Sequence, residues 1–316
     1  MTLEELRANF TRLSHPETIE DCNEVIDYYC EFMLQTTHRQ KDEKVSDIEA
    51  HARILFQMLM TKLLHLKAAI AGVTFNSKTD IRLNSIVDFT IIPSLTRNIY
   101  ETVGLFNLIF RTNKEGHERT IVYNLWMLSG LKYRQRFENI ATTEENKNKV
   151  IAEQKVIDSC IEQIRNTALY KALNEKEKGK IENQIKNKDF LVCFQDQKVV
   201  ILNWKELYNT TGAKKDFFEH IYTFFSLYTH PSFVSVFQFR DSFQPESKAF
   251  IDMTTFNLQN VFMLIGIFVA DFINLFPKSL KIFNSLPIIQ QAIINSQNVF
   301  ARGYEYSIND SLNALG

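Results

Sequence analysis

The chain has 316 residues, with 36 Lys and Arg against 37 Asp and Glu and a hydrophobic share of 45%. This composition can bury a large core and excludes an intrinsically disordered protein. The net charge of −1 excludes the strongly basic balance of proteins that bind nucleic acids broadly, so any such contact has to be local. With nine Gly and six Pro, the chain favours long helices over turn-rich β architectures.

The cysteines Cys22, Cys30, Cys160 and Cys193 form no CxxC pair and have no histidine at zinc-finger spacing. We therefore expect neither a disulfide framework nor a structural metal, and free thiols are typical of the reducing cytoplasm. The first residues include acidic side chains and lack the basic-then-apolar order of a signal peptide. These features predict a cytoplasmic protein without a cofactor or a bound metal.

Apolar residues recur at three- and four-residue spacing through the first half of the chain, which predicts amphipathic helices. The stretches are residues 18–40, 46–72, 80–110 and 115–137. Ser46 and Glu49 stand in capping-box register at the start of the second stretch. Pro93 predicts that a helix begins or bends within the third stretch, because its ring clashes with the preceding turn.

Residues 143–188 are rich in Lys, Glu, Asn and Gln of mixed sign, which predicts a solvated helical hairpin rather than a nucleic-acid arm. Residues 190–202 contain two short β-branched or aromatic runs around the polar segment 195–197, so a small β-hairpin or an extended connector is expected there. The sequence then predicts a short helix over 204–208, which ends before Gly212.

An aromatic helix is predicted over residues 214–230, and residues 256–276 are the most apolar part of the chain. Within that stretch the uninterrupted apolar run extends from Val261 to Ala270, which is too short for a bilayer core that needs about 20 residues. We predict a buried core helix, and a membrane anchor remains a weaker alternative. Aromatic residues near 233–243 are expected to pack in the core or to form a dimer surface.

Together these patterns predict an all-α protein: a helical bundle with a long charged helical hairpin and at most one short β-hairpin. We expect one helical domain over residues 1–316, with residues 143–202 as a charged excursion within it, and we expect a homodimer.

Signatures of the common enzyme classes, such as GxGxxG, HExxH, GxSxG or an EF-hand loop, do not occur in the sequence. What remains is a set of polar residues on two apolar helices. Arg97 and Glu101 are four residues apart, so both lie on one face of the helix after Pro93, where they can form an ion pair.

The second helix places Tyr222, Ser226 and His230 along one stripe at four-residue steps. Pro231 ends that helix, so His230 lies at a helix C-terminus, where the macrodipole favours the protonated imidazole. Ser232 follows closely and can cap a helix, orient the ring or touch a ligand.

The run Trp204-Lys205-Glu206-Leu207, then Gly212, then Tyr222-x3-Ser226-x3-His230-Pro231-Ser232, with the upstream Arg97-x3-Glu101, resembles a family of uncharacterised all-helical bacterial proteins. That family is itself similar to the HEPN superfamily, whose active members are metal-independent ribonucleases in toxin and phage-defence systems. The resemblance implies a defence or stress role, RNA as substrate and an antitoxin or other partner protein.

The usual HEPN signature places a histidine four to six residues after an arginine, with Asn, Asp or His directly after that arginine. Only the segment from Arg111 to His117 has this spacing, and Thr112 stands at the second position. Because Asn113 and Gly116 are turn formers, we interpret the segment as an exposed loop between helices.

Two functions from different classes follow. In the first, Arg97, Glu101 and His230 are catalytic, with His230 moving a proton, Arg97 stabilising phosphoryl charge and Glu101 orienting Arg97, while Tyr222, Ser226 and Ser232 bind substrate RNA. In the second, the chain is a non-enzymatic scaffold or interaction module, and the same polar residues hold its helices together.

Overall fold

A computed structural model of the chain describes residues 2–79, 81–113, 116–140, 142–214, 218 and 220–316. Helices account for 74% of the residues, which confirms the predicted all-α fold. The chain forms two compact units: unit 1 comprises Met1–Phe106 and Thr211–Gly316, and unit 2 comprises Asn107–Thr210. The single domain over residues 1–316 stays a prediction, because this division does not test it.

The elements follow one another along the chain in a simple order. They are α1 (Leu3–Ser14), α2 (Ile19–Arg39), α3 (Asp47–Ile70), β1 (Val73–Asn76), β2 (Arg82–Ile86), α4 (Ile91–Asn107), α5 (Gly116–Arg134), α6 (Glu144–Asn166), α7 (Ala168–Ala172), α8 (Glu175–Asn187), β3 (Val192–Gln195), β4 (Lys198–Ile201), α9 (Ile221–Thr229), α10 (Phe233–Ser242), α11 (Lys248–Leu275), α12 (Ser279–Asn284) and α13 (Ile288–Arg302). A π-helical turn over Leu108–Thr112 follows α4.

Local sequence signals set several of these helix boundaries. The Ser46 side chain accepts a hydrogen bond from the Glu49 N–H, and the Glu49 carboxylate accepts one from the Ser46 N–H, so the predicted capping box is confirmed. Pro93 is the third residue of α4. There its missing N–H costs nothing, because the first N–H groups of a helix have no partner within the helix, and Pro93 marks a helix start rather than a kink.

Two antiparallel hairpins interrupt the helices. The β3–β4 hairpin lies inside the predicted segment 190–202, and its turn residues Asp196 and Gln197 both have positive φ, as a tight two-residue hairpin turn requires. The β1–β2 hairpin corrects the expectation of at most one hairpin: its second strand lies in the predicted helical stretch 80–110, and its first strand lies between predicted helices. Gly72, with φ +78°, ends α3 and leads the chain into this second hairpin.

The core of unit 1 is built around α11, which packs against α2 and α13. Phe56 of α3 stacks on Phe272 of α11 at 3.9 Å between ring centroids, and the Tyr29 hydroxyl donates to the Phe262 carbonyl at 2.8 Å. By length and composition α11 could cross a membrane, but 83% of its most apolar window is buried within the protein. Such burial is what the sequence analysis expects of a core helix.

One ion pair lies inside this apolar core. Arg302 of α13 donates to Asp271 of α11 at 2.8 Å, and both side chains are at most 5% exposed. Arg302 also donates to the Asn298 side chain and to the Thr211 carbonyl. The buried guanidinium is therefore satisfied on several sides, which a charge in a low-dielectric interior requires.

Unit 2 contains the charged segment predicted from the sequence. Helices α6 and α8 are joined by a bidentate pair in which Arg165 donates to Glu182 at 2.8 and 2.9 Å. Glu177 of α8 accepts hydrogen bonds from the Lys180 ammonium and from the Val199 N–H of β4, which together hold the pKa of its carboxyl below the usual value. The Glu177 carboxylate therefore joins the β3–β4 hairpin to α8.

The aromatic helix predicted over residues 214–230 is shorter in the structure, where α9 begins only at Ile221. Residues 215–217 and 219, which belong to that prediction, lie outside the described residues, as do residues 80 and 115 at the starts of two predicted helices. The predicted C-terminal end of this helix is confirmed, because His230 is the C-cap residue of α9.

Replacing Asp271 by Ala is expected to lower the free energy of unfolding by about 3–5 kcal/mol, because it leaves the Arg302 charge buried without its counter-ion. Urea denaturation followed by circular dichroism measures this. The matched control is Asp252→Ala in the exposed Lys248–Asp252 pair of the same helix, for which a change within about 0.5 kcal/mol is expected. Equal effects in the two variants would contradict the assignment.

Candidate functional site

Three of the six predicted site residues form one cluster, which we call the α4–α9 clamp: Arg97, Glu101 and Tyr222. Arg97 Nε donates to Glu101 Oε1 at 2.9 Å, and Arg97 Nη2 donates to the Tyr222 hydroxyl at 2.7 Å. The Tyr222 hydroxyl in turn donates to Glu101 Oε1 at 3.2 Å. The triangle closes on itself and joins the two helices.

Burial and charge act together on this clamp. The side chains of Arg97 and Glu101 are each 25% exposed, so their attraction is screened less than that of a surface pair. Burial opposes the charge on Arg97, but the hydrogen bond and the charge of Glu101 raise its pKa overall. Burial and the Glu101 carboxylate likewise raise the pKa of Tyr222, so its hydroxyl stays protonated.

Sequence reasoning missed a fourth member of this region, Lys62 of α3. Its ammonium donates to the Thr102 hydroxyl, and burial lowers the pKa of Lys62 while the nearby Glu101 charge opposes that shift. The available signal was a lysine between Leu59 and Leu63 on a helix whose inner face is otherwise apolar. The Glu101 carboxylate therefore interacts favourably with the positive charges of both Arg97 and Lys62.

The two predicted serines have structural contacts. The Ser226 hydroxyl donates to the Tyr222 carbonyl one turn earlier in α9, at 2.7 Å. Ser232 caps α10, because its hydroxyl accepts from the Ser235 N–H at 3.1 Å. Capping was one of the three roles that the sequence left open for Ser232.

A pocket of about 740 Å³ lies between α4, the end of α9 and α10, and we call it the α4–α10 pocket. Most of its exposed wall area is apolar, although more than half of the lining residues carry a polar group. It is lined by Asp88, Thr90, Ile91, Ser94, Leu95, Asn98, Tyr228, Thr229, His230, Pro231, Ser235, Val236 and Phe239. Its volume falls within the roughly 300–1,000 Å³ typical of ligand pockets.

His230 and Asn98 are exposed polar side chains of this pocket, as is Thr229, whose hydroxyl donates to the Phe225 carbonyl. Among the described residues, neither the imidazole nor the amide has a hydrogen-bond partner. The backbone of His230 is fixed, because its carbonyl accepts from the Ser232 N–H at 2.7 Å and from the Ser235 hydroxyl at 3.3 Å. The backbone of His230 is thus positioned, and its ring is exposed to a ligand.

The structure therefore divides the predicted site in two. Arg97, Glu101 and Tyr222 are in contact with one another but do not line the α4–α10 pocket, whereas His230 lines the pocket without them. We predicted one site because Tyr222, Ser226 and His230 share a helical stripe. The two ends of that stripe lie at different places: Tyr222 contacts Arg97 of α4, and His230 lines the pocket.

The segment from Arg111 to His117 is not the exposed loop that we expected, because most of its described residues are helical and Asn113 is buried. Arg111 belongs to the π-helical turn and His117 to the first turn of α5, so the segment joins two helices, with residues 114 and 115 outside the described part. Asn113 is buried and donates to the Leu108 carbonyl at 2.7 Å. Over the described residues no group of three His, Cys, Asp or Glu side chains is placed to hold a metal ion.

A family model described as "Family of unknown function (DUF5677)" matches residues 88–247. This range begins at Asp88 and contains every residue that lines the α4–α10 pocket. No curated protein and no solved structure matches the chain.

Replacing Tyr222 by Phe is expected to lower the free energy of unfolding by about 1–2 kcal/mol, since it removes hydrogen bonds to two charged side chains. His230→Ala should change it by less than about 0.5 kcal/mol, because that ring is exposed. Urea denaturation compares both, with exposed Tyr133→Phe as the control for a lost hydroxyl. A large loss in His230→Ala would show that the imidazole is part of the architecture.

Proposed function

Because the chain belongs to the DUF5677 family of unknown function, we propose its role from its own geometry: it is an interaction module that holds an apolar side chain of a partner protein in the α4–α10 pocket. One observation carries this proposal. The pocket is open at the surface and mainly apolar, and it presents exposed, unpaired His230 and Asn98 at its edge.

The charge of the pocket favours a neutral group. No Arg or Lys is among the described residues that line it, and the carboxylate of Asp88 is engaged by the Thr90 N–H and hydroxyl at 2.9 and 2.6 Å. A phosphate or carboxylate would find no cation there, whereas an aliphatic or aromatic side chain would gain from burial against Ile91, Leu95 and Phe239.

The walls are tied to one another, which supports a preformed site. The α4–α9 clamp joins the first two walls, and the Tyr228 hydroxyl donates to Gln238 of α10 at 2.9 Å. The Val87 N–H donates to the Phe243 carbonyl just past α10, at 2.9 Å. A pocket whose walls are already fixed loses less entropy on binding than one that must be ordered first.

The proposal predicts saturable binding of N-acetyl-phenylalaninamide, a model for an apolar side chain in a peptide. We expect the imidazole proton signals of His230 to shift in NMR spectra as the probe is added. Asn98→Trp, which places a large side chain in the pocket from an exposed position, should abolish the effect, while Gln57→Trp at an exposed position of α3 should not. Shifts that are linear in probe concentration, or that persist in Asn98→Trp, would contradict the proposal.

A second candidate is a HEPN-like, metal-independent ribonuclease of a bacterial defence or stress system. The observation that favours it is the exposed His230 ring at the C-terminal end of α9, within an open cleft. Such an imidazole could take a proton from a ribose 2′-hydroxyl as that oxygen attacks the adjacent phosphorus, and return one to the leaving 5′-oxygen. Arg97 would have to leave Glu101 and Tyr222 to reach the phosphate.

Incubation of an end-labelled RNA pool with the protein and a metal chelator tests this second candidate. Cleavage that leaves cyclic-phosphate ends and is lost in both His230→Ala and Arg97→Ala would support it. RNA left intact by folded wild-type protein would contradict it.

We place the protein in the cytoplasm for two reasons. All four cysteines are free thiols, and burial raises the pKa of Cys30 to about 11, so this partly exposed thiol is protonated and slow to oxidise at neutral pH. The apolar helix α11 is accounted for by its burial in unit 1.

A further inference from the structure

Helix α10 exposes the residues that a helix on a protein surface normally buries. The buried positions are Ser235 and Ser242, while Phe233 is 85% exposed, Val236 60% and Phe237 49%. We call Phe233, Val234, Val236 and Phe237 the α10 face. Phe233 and Phe237 stack on each other at 6.1 Å, and the Arg240 guanidinium covers Phe237 at 4.3 Å. Within the described part of the chain, these side chains remain largely exposed.

The β1–β2 hairpin is exposed in the same way. Its apolar side chains Val73, Phe75, Ile81 and Leu83 are 44–70% exposed. The base of the hairpin adjoins the C-terminal end of α10, because Val87, just after β2, donates its N–H to the Phe243 carbonyl.

The exposed area fits a stable interface. A large aromatic side chain covers about 150–250 Å², so the exposed fractions of these eight residues sum to roughly 800 Å². The largest apolar patch on a typical monomer is about 300–600 Å². A standard protein interface buries about 800 Å² per partner.

We propose that the partner on this surface is a second copy of the chain, with α10 packed antiparallel on the partner's α10 about a two-fold axis. The charged groups of α10, Arg240 and Asp241, bond to each other at 2.9 Å, so two copies meet without net repulsion. Antiparallel helices also place each N-terminal end beside a C-terminal end, where their dipoles attract. The interface goes beyond the proposed function, because Val236 alone is shared with the α4–α10 pocket.

This arrangement brings the two exposed groups together. The hairpin adjoins the C-terminal end of α10, and an antiparallel partner presents the N-terminal end of its own α10 at that place. The partner's Phe233, the most exposed residue of the helix, then lies against Phe75 and Leu83 of the hairpin. Two-fold symmetry repeats the contact at the other end, so both exposed groups are covered by one interface.

Sedimentation equilibrium of the full chain over a concentration series tests the proposal. We expect a dimer for the wild type and a dissociation constant raised roughly a hundredfold or more in Phe233→Glu and in Phe75→Lys, since central aromatic residues dominate such interfaces. Leu34→Glu, at a similarly exposed leucine of α2, is the matched control and should leave the dimer intact. Thermal unfolding confirms that each variant is folded, as expected for exposed positions.

Mixing two variants gives the sharper test. A dimer of one Phe233→Glu chain and one Phe75→Lys chain has one Glu–Lys contact and one unaltered Phe–Phe contact, whereas each variant alone has two disrupted contacts. The mixture should therefore form dimers at concentrations where either variant alone is monomeric.

A wild-type chain that is monomeric throughout the series would overturn the proposal, and so would a dimer that survives Phe233→Glu. A dimer lost in Phe233→Glu but kept in Phe75→Lys would overturn the antiparallel arrangement. Monomeric protein that sediments with phosphatidylcholine vesicles, and no longer does so as Phe233→Glu, would assign the surface to a membrane instead. Binding of N-acetyl-phenylalaninamide is measured separately, so failure of the dimer does not decide the function of the pocket.

Discussion

The burial of α11 is the constraint on which the rest of unit 1 depends. Helices from both ends of the chain pack around it, and residues on nearly all of its faces are buried. A helix buried in this way can contain a charge only where an opposite charge reaches it. Arg302 therefore has to approach Asp271 from α13, and this contact helps to fix the register of the two helices.

The candidate site lies nearer to the surface, where some polar side chains are paired with one another and others are exposed without a partner. Arg97 and Tyr222 hold α4 and α9 together, and the pocket lies beside that contact, where α10 lines it with Ser235, Val236 and Phe239. Polar residues on apolar helices thus serve two purposes in one region. Those that bond to one another shape the walls, and those without partners, such as His230 and Asn98, are available to a ligand.

Much of the fold could be predicted because helical periodicity and caps are local signals. Thr18 and Ser46 start helices as expected, and the polar turn at 195–197 forms the predicted hairpin. The β1–β2 hairpin was not predicted, although residues 73–76 and 81–84 alternate between apolar and polar; these runs are short, and the helical period predicted from residue 80 onward includes β2. Four-residue spacing placed Tyr222 and His230 on one stripe of α9, but it could not show that Tyr222 contacts Arg97 while His230 lines the pocket, since that depends on how the helices cross.

Unit 1 is assembled from two segments of the chain that are separated by the whole of unit 2. On the ribosome, residues 107–210 can complete their fold as soon as they emerge, whereas Phe32 and Phe56 have to wait for their partners in α11 and α12. At translation rates of about 5–20 residues per second, that delay is on the order of 10–40 s. During this delay the apolar inner faces of α2 and α3 are exposed and accessible to chaperones. The order of segments in the chain therefore leaves the first hundred residues exposed to aggregation until the C-terminal helices are made.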